Sequence, residues 1–348
     1  MAYSPIPVFH FIGFVFSRIF NSWSYNVIIC CGENLIDMVP ESGTDNHKKA
    51  PYGSFRVAPG GCPYNSAIAA ARLGADVQFL GSIASDFLGD KLFARLVENG
   101  VGTEMVVRAQ RPVTLAFVEK STSGEARYAF YAEGCADRSI KLDDLPAALP
   151  REAHFLLAGS ISLVLEPAAS TIAGLIERES DKLLVSFDPN IRASLIPDRE
   201  GYLKKFEALC ASCAIVKASD SDLEWLYGSV PTGEIVSHIL DLGPEAVFVT
   251  LGEKGSIAFT RRVSASIEAF KIPIIDTIGA GDTFHAAILA ALDRKGIASR
   301  AALSALGEKE LFALLRFASA AAAINCTREG TDPPRFDEIE LSYPGCGL

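Results

Sequence analysis

The sequence predicts an α/β protein with a doubly wound, mostly parallel sheet and a small projecting β-sheet that acts as a lid. Short apolar runs typical of strands alternate with helical patterns from Val27 onward. Several of these runs are continuously apolar, as expected for a sheet that is covered on both faces. Two other stretches alternate between polar and apolar residues, which is typical of half-exposed antiparallel hairpins.

The parallel sheet and its covering helices are assigned from these apolar runs and periodic patterns. The predicted strands are 27–31, 77–80, 155–158, 183–187, 214–217 and 247–251. The predicted helices are 65–73, 167–179, 202–211, 283–294 and 308–324. Gly74 follows the first helix where helices commonly end, and Pro167 lies in the first turn of the second helix, where its missing N–H loses no bond. Residues 27–340 are therefore predicted to form one domain.

The lid is assigned to residues at about 38–58 and 112–134, which contain the alternating segments. The second of these segments includes a tight turn at Ser123 and Gly124. A small sheet that projects from an α/β core can close over a ligand, or its apolar face can be covered by a second chain. We therefore expect a homodimer that forms through the lid strands.

The first 26 residues are strongly apolar and aromatic, but they fit neither a membrane span nor a targeting segment. Their most apolar run is interrupted by His10 and Arg18, whereas a spanning helix needs about 20 apolar residues. The segment also lacks the cationic start and small-residue cleavage site of a signal peptide. We expect residues 1–26 to be an extension outside the folded core, and we expect no membrane partner.

Net charge and cysteine spacing argue against a nucleic-acid-binding protein and against a secreted, disulfide-bonded domain. The net charge is −10 and no basic run is present, which argues against a nucleic-acid partner. The eight cysteines lack the spacing of a secreted disulfide domain, so free thiols and a cytoplasmic location are expected. Cys210 and Cys213 have redox spacing, but they end a helical pattern without a neighbouring metal-type pair, and we interpret them as packing residues.

A glycine turn that opens into a helix is the strongest chemical signal, at residues 276–283. Such a turn leaves backbone N–H groups unpaired with the helix dipole behind them, which makes an anion cradle. The dipole also predicts a low pKa for Asp282, and a carboxylate beside a phosphate cradle can accept a hydroxyl proton. The alternative is that Asp282 only caps the helix, as Asp often does.

A second glycine segment contains Gly60, Gly61 and Asn65 ahead of the first predicted helix. Paired glycines let the backbone approach a ligand closely, and the Asn65 amide can bind a sugar hydroxyl as donor and acceptor. A turn followed by a helix cap explains the same residues equally well. Asp37 and the segment 188–192 each follow a predicted strand, where open α/β sheets bind ligands, although a single loop acid is more often only solvated.

The turn after the strand at 247–251 could let an adenine or ribose lie against the backbone, but a glycine-rich hairpin looks the same. Neither a P-loop nor a clean GxGxxG occurs in the sequence. The missing GxGxxG disfavours a dinucleotide-dependent oxidoreductase.

Taken together, these segments resemble the ribokinase-like (PfkB) family of carbohydrate kinases, most closely the bacterial fructokinases, over residues 27–331. Residues 60–89 are similar to the first family signature and residues 276–282 to the second. Two signatures in the right order and about 200 residues apart are far more specific than either alone. The resemblance implies a ribokinase-like fold, ATP and Mg²⁺ as cofactors, and phosphorylation of a small-molecule sugar.

The resemblance also implies roles for individual residues. It makes Asp282 the catalytic base, and it assigns the anion hole to the backbone of Gly279, Ala280 and Gly281. Sugar hydroxyls are assigned to Asp37, Gly60, Gly61 and Asn65. Nucleotide binding is assigned to Asn190, Ser219, Thr250, Gly252 and Gly255.

Two metal roles follow from the same resemblance. Ser219 and Asp222 replace the Asn and Glu of a family motif linked to magnesium and phosphate. Because Asp is shorter than Glu, Asp222 is expected to contact Mg²⁺ through water. Asp276 is the side chain that would hold a monovalent cation such as K⁺.

The implied reaction is transfer of the ATP γ-phosphoryl group to a hydroxymethyl oxygen of a neutral ketose, with fructose as the first choice. Segments 32–37, 154–163 and 186–192 are similar to fructokinase segments. Ala132 stands where many relatives carry Arg, which disfavours sugar acids and sugar phosphates. The alternatives are a kinase for another sugar, 2-keto-3-deoxygluconate or a nucleoside, and, from a different class, a catalytically silent sugar-binding or regulatory protein.

Overall fold

A nine-stranded sheet is the centre of the computed structural model, which describes residues 27–40, 54–120 and 126–347. In chain order the strands are β1 (Val27–Cys31), β2 (Leu35–Pro40), β3 (Phe55–Gly60), β4 (Asp76–Ala84), β5 (Val106–Ala109), β6 (Thr114–Lys120), β7 (Ala126–Tyr131), β8 (Ala153–Gly159), β9 (Leu184–Asp188), β10 (Ile215–Ser219), β11 (Ala246–Thr250), β12 (Ser256–Phe259) and β13 (Ser264–Ile267). The large sheet has the order β5-β4-β1-β8-β9-β10-β11-β12-β13. The strands from β5 to β11 are parallel, and β12 and β13 add an antiparallel edge.

Helices cover both faces of the large sheet. In chain order they are α1 (Cys62–Arg72), α2 (Phe87–Glu98), α3 (Ala168–Glu179), α4 (Arg199–Ser212), α5 (Asp220–Tyr227), α6 (Thr232–Leu242), α7 (Ala280–Arg294), α8 (Arg300–Ser304), α9 (Glu308–Cys326) and α10 (Phe336–Ser342). One core cluster contains α1, α2, α7 and α9, and the other contains α3 to α6. Within β1, Ile28 and Cys30 face the first cluster while Ile29 and Cys31 face the second. This two-sided burial explains the continuously apolar strands.

The predicted doubly wound, mostly parallel sheet is confirmed, and each predicted strand and helix is present with ends displaced by a few residues. The elements that sequence patterns missed are short or strongly amphipathic. The edge strands β12 and β13 have only four residues each. Helix α2 did carry a detectable signal, because Asp86 caps it by accepting hydrogen bonds from the N–H groups of Leu88 and Gly89.

The predicted small β-sheet is also present, with the order β3-β2-β6-β7. Strand β2 pairs antiparallel with β3 and parallel with β6, and β6 pairs antiparallel with β7. Asp37 lies on β2 of this sheet. The predicted turn at Ser123 and Gly124 and the extension at 1–26 lie outside the described residues, and the domain boundaries remain predictions.

The cysteines agree with the expectation of free thiols. All eight are unbridged, and seven of them are buried. Burial raises the pKa of the Cys213 thiol to about 12 and that of Cys210 well above its usual value, as expected for packing residues. Among the described residues no helix combines the length and the apolar character that a membrane span requires.

Candidate active site

A cavity of about 340 Å³ lies between the two sheets, at the carboxyl ends of β1, β8, β9 and β10. Ligands bind at this end of doubly wound sheets, where the strand order reverses. The predicted site residues that line it are Asp37, Gly61, Asn65, Asn190, Asp276, Gly279, Gly281 and Asp282. Gly60 and Ala280 adjoin these residues in the chain. The remaining predicted residues, Ser219, Asp222, Thr250, Gly252 and Gly255, lie outside the wall of this cavity.

The predicted glycine turn does open into a helix. Gly279 has the left-handed backbone conformation, with φ of 75°, and α7 begins at Ala280. A Cβ atom on Gly279 would lie 2.5 Å from the Thr331 hydroxyl oxygen, so the position needs glycine for both conformation and space. The Ala280 N–H donates to the Thr277 carbonyl at 3.2 Å. This bond takes Ala280 out of the predicted set of anion donors, and the amides of Gly279, Gly281 and Asp282 are left to bind an anion.

Asp282 is the third residue of α7 and does not cap it, because Gly279 is the N-cap. Its carboxylate oxygen Oδ2 accepts a hydrogen bond of 2.8 Å from the Asn65 side-chain amide. The Ser66 hydroxyl donates to the Asp282 carbonyl at 3.3 Å. The two glycine segments, which are separated by about two thirds of the chain, are thus joined by direct bonds at the cavity.

The expected low pKa of Asp282 is wrong. The residue is only 7% exposed, and this burial raises the pKa of its carboxyl group above the ordinary value. Hydrogen bonds from Asn65 and Cys62 and the charge of Lys217 act in the opposite direction but are weaker than burial. Loss of hydration therefore outweighs the helix dipole at this position. A raised pKa suits a base, since a carboxylate of ordinary pKa binds a proton weakly.

Asp37 faces the same cavity from β2. A Cβ atom on Gly60 would overlap the Asp37 carboxylate, so the glycine makes room for the acid. Burial raises the pKa of Asp37 to about 7; the Arg192 guanidinium lowers it, and the Asp282 carboxylate raises it further. Asp37 and Asp282 are therefore two acids of raised pKa that line one cavity.

Asn65 keeps one acceptor free. Its amide nitrogen bonds to Asp282, but its oxygen Oδ1 is buried without a hydrogen-bond partner in the described part of the chain. The neighbouring Gly61 has φ of 109°, and a Cβ atom there would lie 2.6 Å from the Glu33 carbonyl oxygen. Backbone packing fixes Gly61, and Asn65 presents an acceptor that a hydroxyl group could satisfy.

The segment after β9 brings a cation to the cavity. Arg192 donates to the Asn190 side-chain oxygen at 2.7 Å, and its guanidinium lies 5.0 Å from the centre of the Tyr128 ring. Asn190 itself has a positive φ of 35°, which is uncommon for a residue other than glycine. Arg192 thus connects the large sheet to lid strand β7.

Ser219 and Asp222 form a capping box at the start of α5. Asp222 Oδ2 accepts from the Ser219 amide at 2.9 Å and from its hydroxyl at 2.6 Å, and Oδ1 accepts from the Ile191 amide at 2.8 Å. A carboxylate offers about four acceptor directions, so little remains for direct metal ligation. Oδ1 can still accept one more hydrogen bond, which would allow it to contact a water molecule of a hydrated Mg²⁺.

The residues assigned to the nucleotide follow β10 and β11, whose ends Ser219 and Thr250 are paired in the sheet. Gly252 has φ of 57°, and a Cβ atom there would meet open space. Gly255 has φ of 106°, and a Cβ atom would overlap the Ile267 carbonyl. Gly255 is therefore explained by packing, whereas Gly252 leaves an open surface beside the cavity. Nucleotide contact at these positions stays a prediction.

Asp276 has both carboxylate oxygens in use. Oδ1 accepts from the Ile278 amide at 3.2 Å, and Oδ2 accepts from the Gly330 amide at 3.1 Å. The Arg56 guanidinium, from lid strand β3, lies 3.4 Å from Oδ2. The charge of Asp276 is thus already balanced by an arginine.

Sequence reasoning missed four charged residues near this site: Glu33, Arg56, Arg192 as an individual residue, and Lys217. Glu33 accepts from the Cys62 amide at 2.9 Å and from the Ser162 hydroxyl, and burial raises its pKa to about 7. Lys217 forms a buried ion pair of 2.8 Å with Asp188. A lysine inside an otherwise apolar strand was the available signal for it, because lysine is almost never buried unless paired.

Comparison with known proteins extends over the same residues. A family model described as pfkB family carbohydrate kinase matches residues 26–337. The chain is 37% identical over 286 residues to a fructokinase of Rhizobium leguminosarum bv. trifolii, covering 82% of this chain and 85% of the relative. It is 35% identical over 320 residues to probable fructokinase-4 of Arabidopsis thaliana, covering 91% and 95%. The crystal structure of a fructokinase from Xylella fastidiosa with bound ATP has a TM-score of 0.81 at 27% identity, covering 91% of this chain and 99% of that one.

Proposed function

We propose, since the chain belongs to the pfkB family of carbohydrate kinases, that it transfers the γ-phosphoryl group of ATP to a hydroxymethyl oxygen of fructose. The hydrogen bond between Asn65 and Asp282 carries this proposal, because it joins a hydroxyl-binding amide to a carboxylate at the mouth of an anion cradle. The fructokinases of Rhizobium leguminosarum bv. trifolii and Arabidopsis thaliana match 82% and 91% of this chain, and ATP is bound in the Xylella structure.

Asp282 acts as the general base in this proposal. Its carboxylate accepts the proton of the sugar hydroxyl while that oxygen attacks the γ-phosphorus and the bond to ADP breaks. The backbone N–H groups of Gly281 and Asp282 donate hydrogen bonds to the oxygens of the transferred group and stabilise their negative charge. Each such donor contributes on the order of 10² to 10³ in rate.

The sugar is proposed to lie between Asp37 and Asn65. The free Asn65 oxygen can accept from a sugar hydroxyl, and Asp37 can accept from another. Gly61 lines the cavity beside Asn65, and Gly60 makes room for the Asp37 carboxylate, so both glycines shape the proposed sugar site through packing within the protein. Tyr128 and Phe130 of the lid present stacked rings to the same cavity, at a centroid distance of 5.7 Å. These rings exclude water, which would otherwise compete as the acceptor.

ATP is proposed to extend from the anion cradle towards Asn190, Ser219, Thr250, Gly252 and Gly255. Mg²⁺ bound with it would neutralise phosphate oxygens. Asp222 is proposed to orient one water of that ion through Oδ1, which suits its remaining acceptor capacity.

A monovalent cation fits Asp276 less well. Both of its oxygens accept protein donors, and Arg56 already supplies a positive charge 3.4 Å away. We therefore assign no step to K⁺, and the dependence on this ion is a matter for direct measurement.

A homodimer through the lid is proposed on the exposure of apolar residues. Phe55, Val57 and Tyr131 are 38%, 52% and 64% exposed on the lid strands. Exposed apolar patches of this kind mark interaction surfaces. We also propose a cytoplasmic location, on the basis of the eight unbridged cysteines.

An acceptor panel tests the proposed function. The purified chain is incubated with ATP and Mg²⁺ together with fructose, other sugars, 2-keto-3-deoxygluconate and nucleosides, and the release of ADP is measured. We expect the highest kcat/KM with fructose. A higher value with a nucleoside or a sugar acid would replace the substrate while keeping the reaction. If ADP were released with none of these acceptors, the alternative of a catalytically silent sugar-binding protein would be favoured.

A further inference from the structure

Lys217 is a buried cation that the proposed reaction has not used. It lies near the end of strand β10 in the large sheet and is 4% exposed, which makes it the only buried lysine among the described residues. Its ammonium bonds at 2.8 Å to the carboxylate of Asp188, which is fully buried at the end of β9. Lysine almost never occurs in this environment without a partner, and here the partner is equally inaccessible.

The Lys217 ammonium lies next to Gly281, one of the residues of the anion cradle. A Cβ atom placed on Gly281 would be 3.0 Å from the Lys217 Nζ atom. Lys217 also lines the same cavity as Asp282. A fixed positive charge thus adjoins both the backbone amides that would hold the phosphoryl group and the carboxylate that would take the proton.

Stability alone does not explain the pair. Replacing a buried ion pair with apolar side chains of similar volume is often neutral or stabilising, because the pair must give up its hydration. Burial by itself would lower the pKa of the Lys217 ammonium, but Asp188 and the hydrogen bond to it raise the pKa above its usual range. The ammonium is therefore charged throughout the working pH range of the protein.

We propose that Lys217, held by Asp188, is a positioning residue for phosphoryl transfer. Its ammonium lies next to Gly281 of the anion cradle and lines the same cavity as the base Asp282, and its positive charge stabilises the anions at both places. This inference rests on the proposed function, since it requires Asp282 as the base. During the reaction the hydroxyl proton moves to Asp282 while an O–P bond forms and the bond to ADP breaks. The carboxylate loses its negative charge when it takes the proton, and an equal negative charge appears on the departing ADP. A cation near the carboxylate and the cradle attracts the charge that is spread over the phosphate oxygens during this step.

Several other titratable or charged groups also affect the pKa of Asp282, so the effect of Lys217 has to be separated from theirs. From the surrounding elements, Asp37, Cys62, Tyr128, Asp188, Arg192 and Lys217 interact with it. His285 of α7 lies behind Asp188, with its Nδ1 atom 4.0 Å from the carboxylate and its Nε2 atom 2.6 Å from the Ser186 hydroxyl. Burial lowers the pKa of His285 well below its usual value, so this imidazole stays neutral.

The test compares Lys217→Met with Lys217→Arg and with the exposed control Lys182→Met. The parameters kcat and KM are measured from pH 5 to 9 with the best acceptor of the panel. Removal of the cation is expected to lower kcat at least about tenfold. It is also expected to move the acidic limb of the pH profile upward by about one unit, since a nearby cation favours the ionised base. Lys217→Arg is expected to return the limb towards the wild-type position, and Lys182→Met to match the wild type.

Because Lys217→Met leaves Asp188 without its partner, thermal unfolding is recorded for each variant. The double variant Asp188→Asn/Lys217→Met removes the pair without leaving a lone buried charge, and the same loss of kcat is expected of it. Near-normal kcat in the double variant, or a loss in Lys217→Met without movement of the acidic limb, would overturn the positioning role. Absence of turnover by the wild type with every acceptor would instead overturn the proposed function, and this inference with it.

Discussion

At the scale of single residues, the amide of Asn65 joins one acid, Asp282, to a free acceptor at the cavity. Asn65 donates to Asp282 and keeps its oxygen free, so one side chain can hold the base and also contact a hydroxyl. Asp37 faces them with its pKa raised to about 7. Burial raises the pKa of both acids, and at Asp282 it outweighs the helix dipole, because removing water disfavours a carboxylate more than the dipole stabilises it there.

Replacing Asp282 tests its proposed role as the catalytic base. Asp282→Asn is expected to lower kcat by at least about 10², because the amide cannot accept the proton. Sugar affinity is expected to stay within a few-fold, since Asp282 is not assigned to sugar binding. Steady-state kinetics with fructose and ATP measure both, with the exposed Asp241→Asn as control. Near-normal turnover by Asp282→Asn would remove the base assignment.

Asp37 makes the stability of the protein depend on pH. Its pKa rises from 3.8 in the unfolded chain to about 7 in the fold, so the folded state holds the proton more tightly. The stabilising contribution is complete below about pH 4 and is lost as the pH rises through about 7. Asp37→Asn is therefore expected to be more stable than the wild type at pH 8, by about 1–2 kcal/mol.

Urea unfolding of both proteins at pH 5 and pH 8 measures this difference, again with Asp241→Asn as control. The advantage of Asp37→Asn is expected to shrink at pH 5, where the wild-type carboxyl group is largely protonated. An advantage of equal size at both pH values would show that ionisation of Asp37 is not its cause.

Arg56 is expected to influence the response to monovalent cations through its ion pair with Asp276. With Arg56 beside Asp276, turnover in K⁺ and in tetramethylammonium is expected to agree within about twofold, because the carboxylate is already paired. Arg56→Gln is expected to lose about tenfold without K⁺ and to recover when K⁺ is added, as the ion restores one opposing charge. The exposed Arg262→Gln is the control. A wild-type enzyme that is inactive without K⁺ would contradict the role given to Arg56.

At the scale of elements, the start of α7 positions the cradle. The helix is buried along most of its length, packs against α1 and α9, and contains small alanines that allow this close packing. Its first turn is fixed by the left-handed Gly279 against Thr331. The position of the donors at the helix start is thereby set by packing against α1, α9 and Thr331.

Gly279→Ala is expected to destabilise the fold by about 1–3 kcal/mol, through strain at a positive φ and overlap with Thr331. It is also expected to lower kcat more than it changes the KM for fructose, since the cradle moves and the sugar contacts do not. Gly233→Ala in α6 is the matched control, because a Cβ atom there meets nothing within 4 Å. It should be neutral or slightly stabilising. Equal effects of the two substitutions would contradict this account of the turn.

At the scale of the whole molecule, the lid sheet has two apolar faces with different surroundings. One presents Tyr128 and Phe130 to the cavity. The other carries Phe55, Phe117 and Tyr131, whose rings meet edge to face at 5.3 and 5.6 Å. A sheet that is apolar on both sides needs a cover for its outer face, and in the proposed homodimer a second copy of the chain would supply it.

Val57→Lys is expected to convert the proposed dimer to monomer, because it places a charge on that outer face, at its β3 edge. Light scattering after size-exclusion chromatography measures the mass of both proteins. Val97→Lys on α2 is the matched control, since Val97 is 54% exposed against 52% for Val57. A wild-type protein that is monomeric at micromolar concentration would end the proposal.

The sequence by itself determined the doubly wound sheet, the lid and both glycine segments. Continuous apolar strands, helical periodicity and glycine turns are local patterns, and each follows from the chemistry of neighbouring residues. Short edge strands such as β12 and β13 escaped detection because four residues give little periodicity.

Only the tertiary structure decided the charges of the site. It placed Asn65 on Asp282, Arg56 on Asp276 and Lys217 beneath Gly281. It also reversed the expected pKa shift of Asp282, because hydration is lost only when distant segments close over the residue. Pairings between residues far apart in the chain leave no local pattern, so the contacts that join the acids and cations of this site became visible only in the fold.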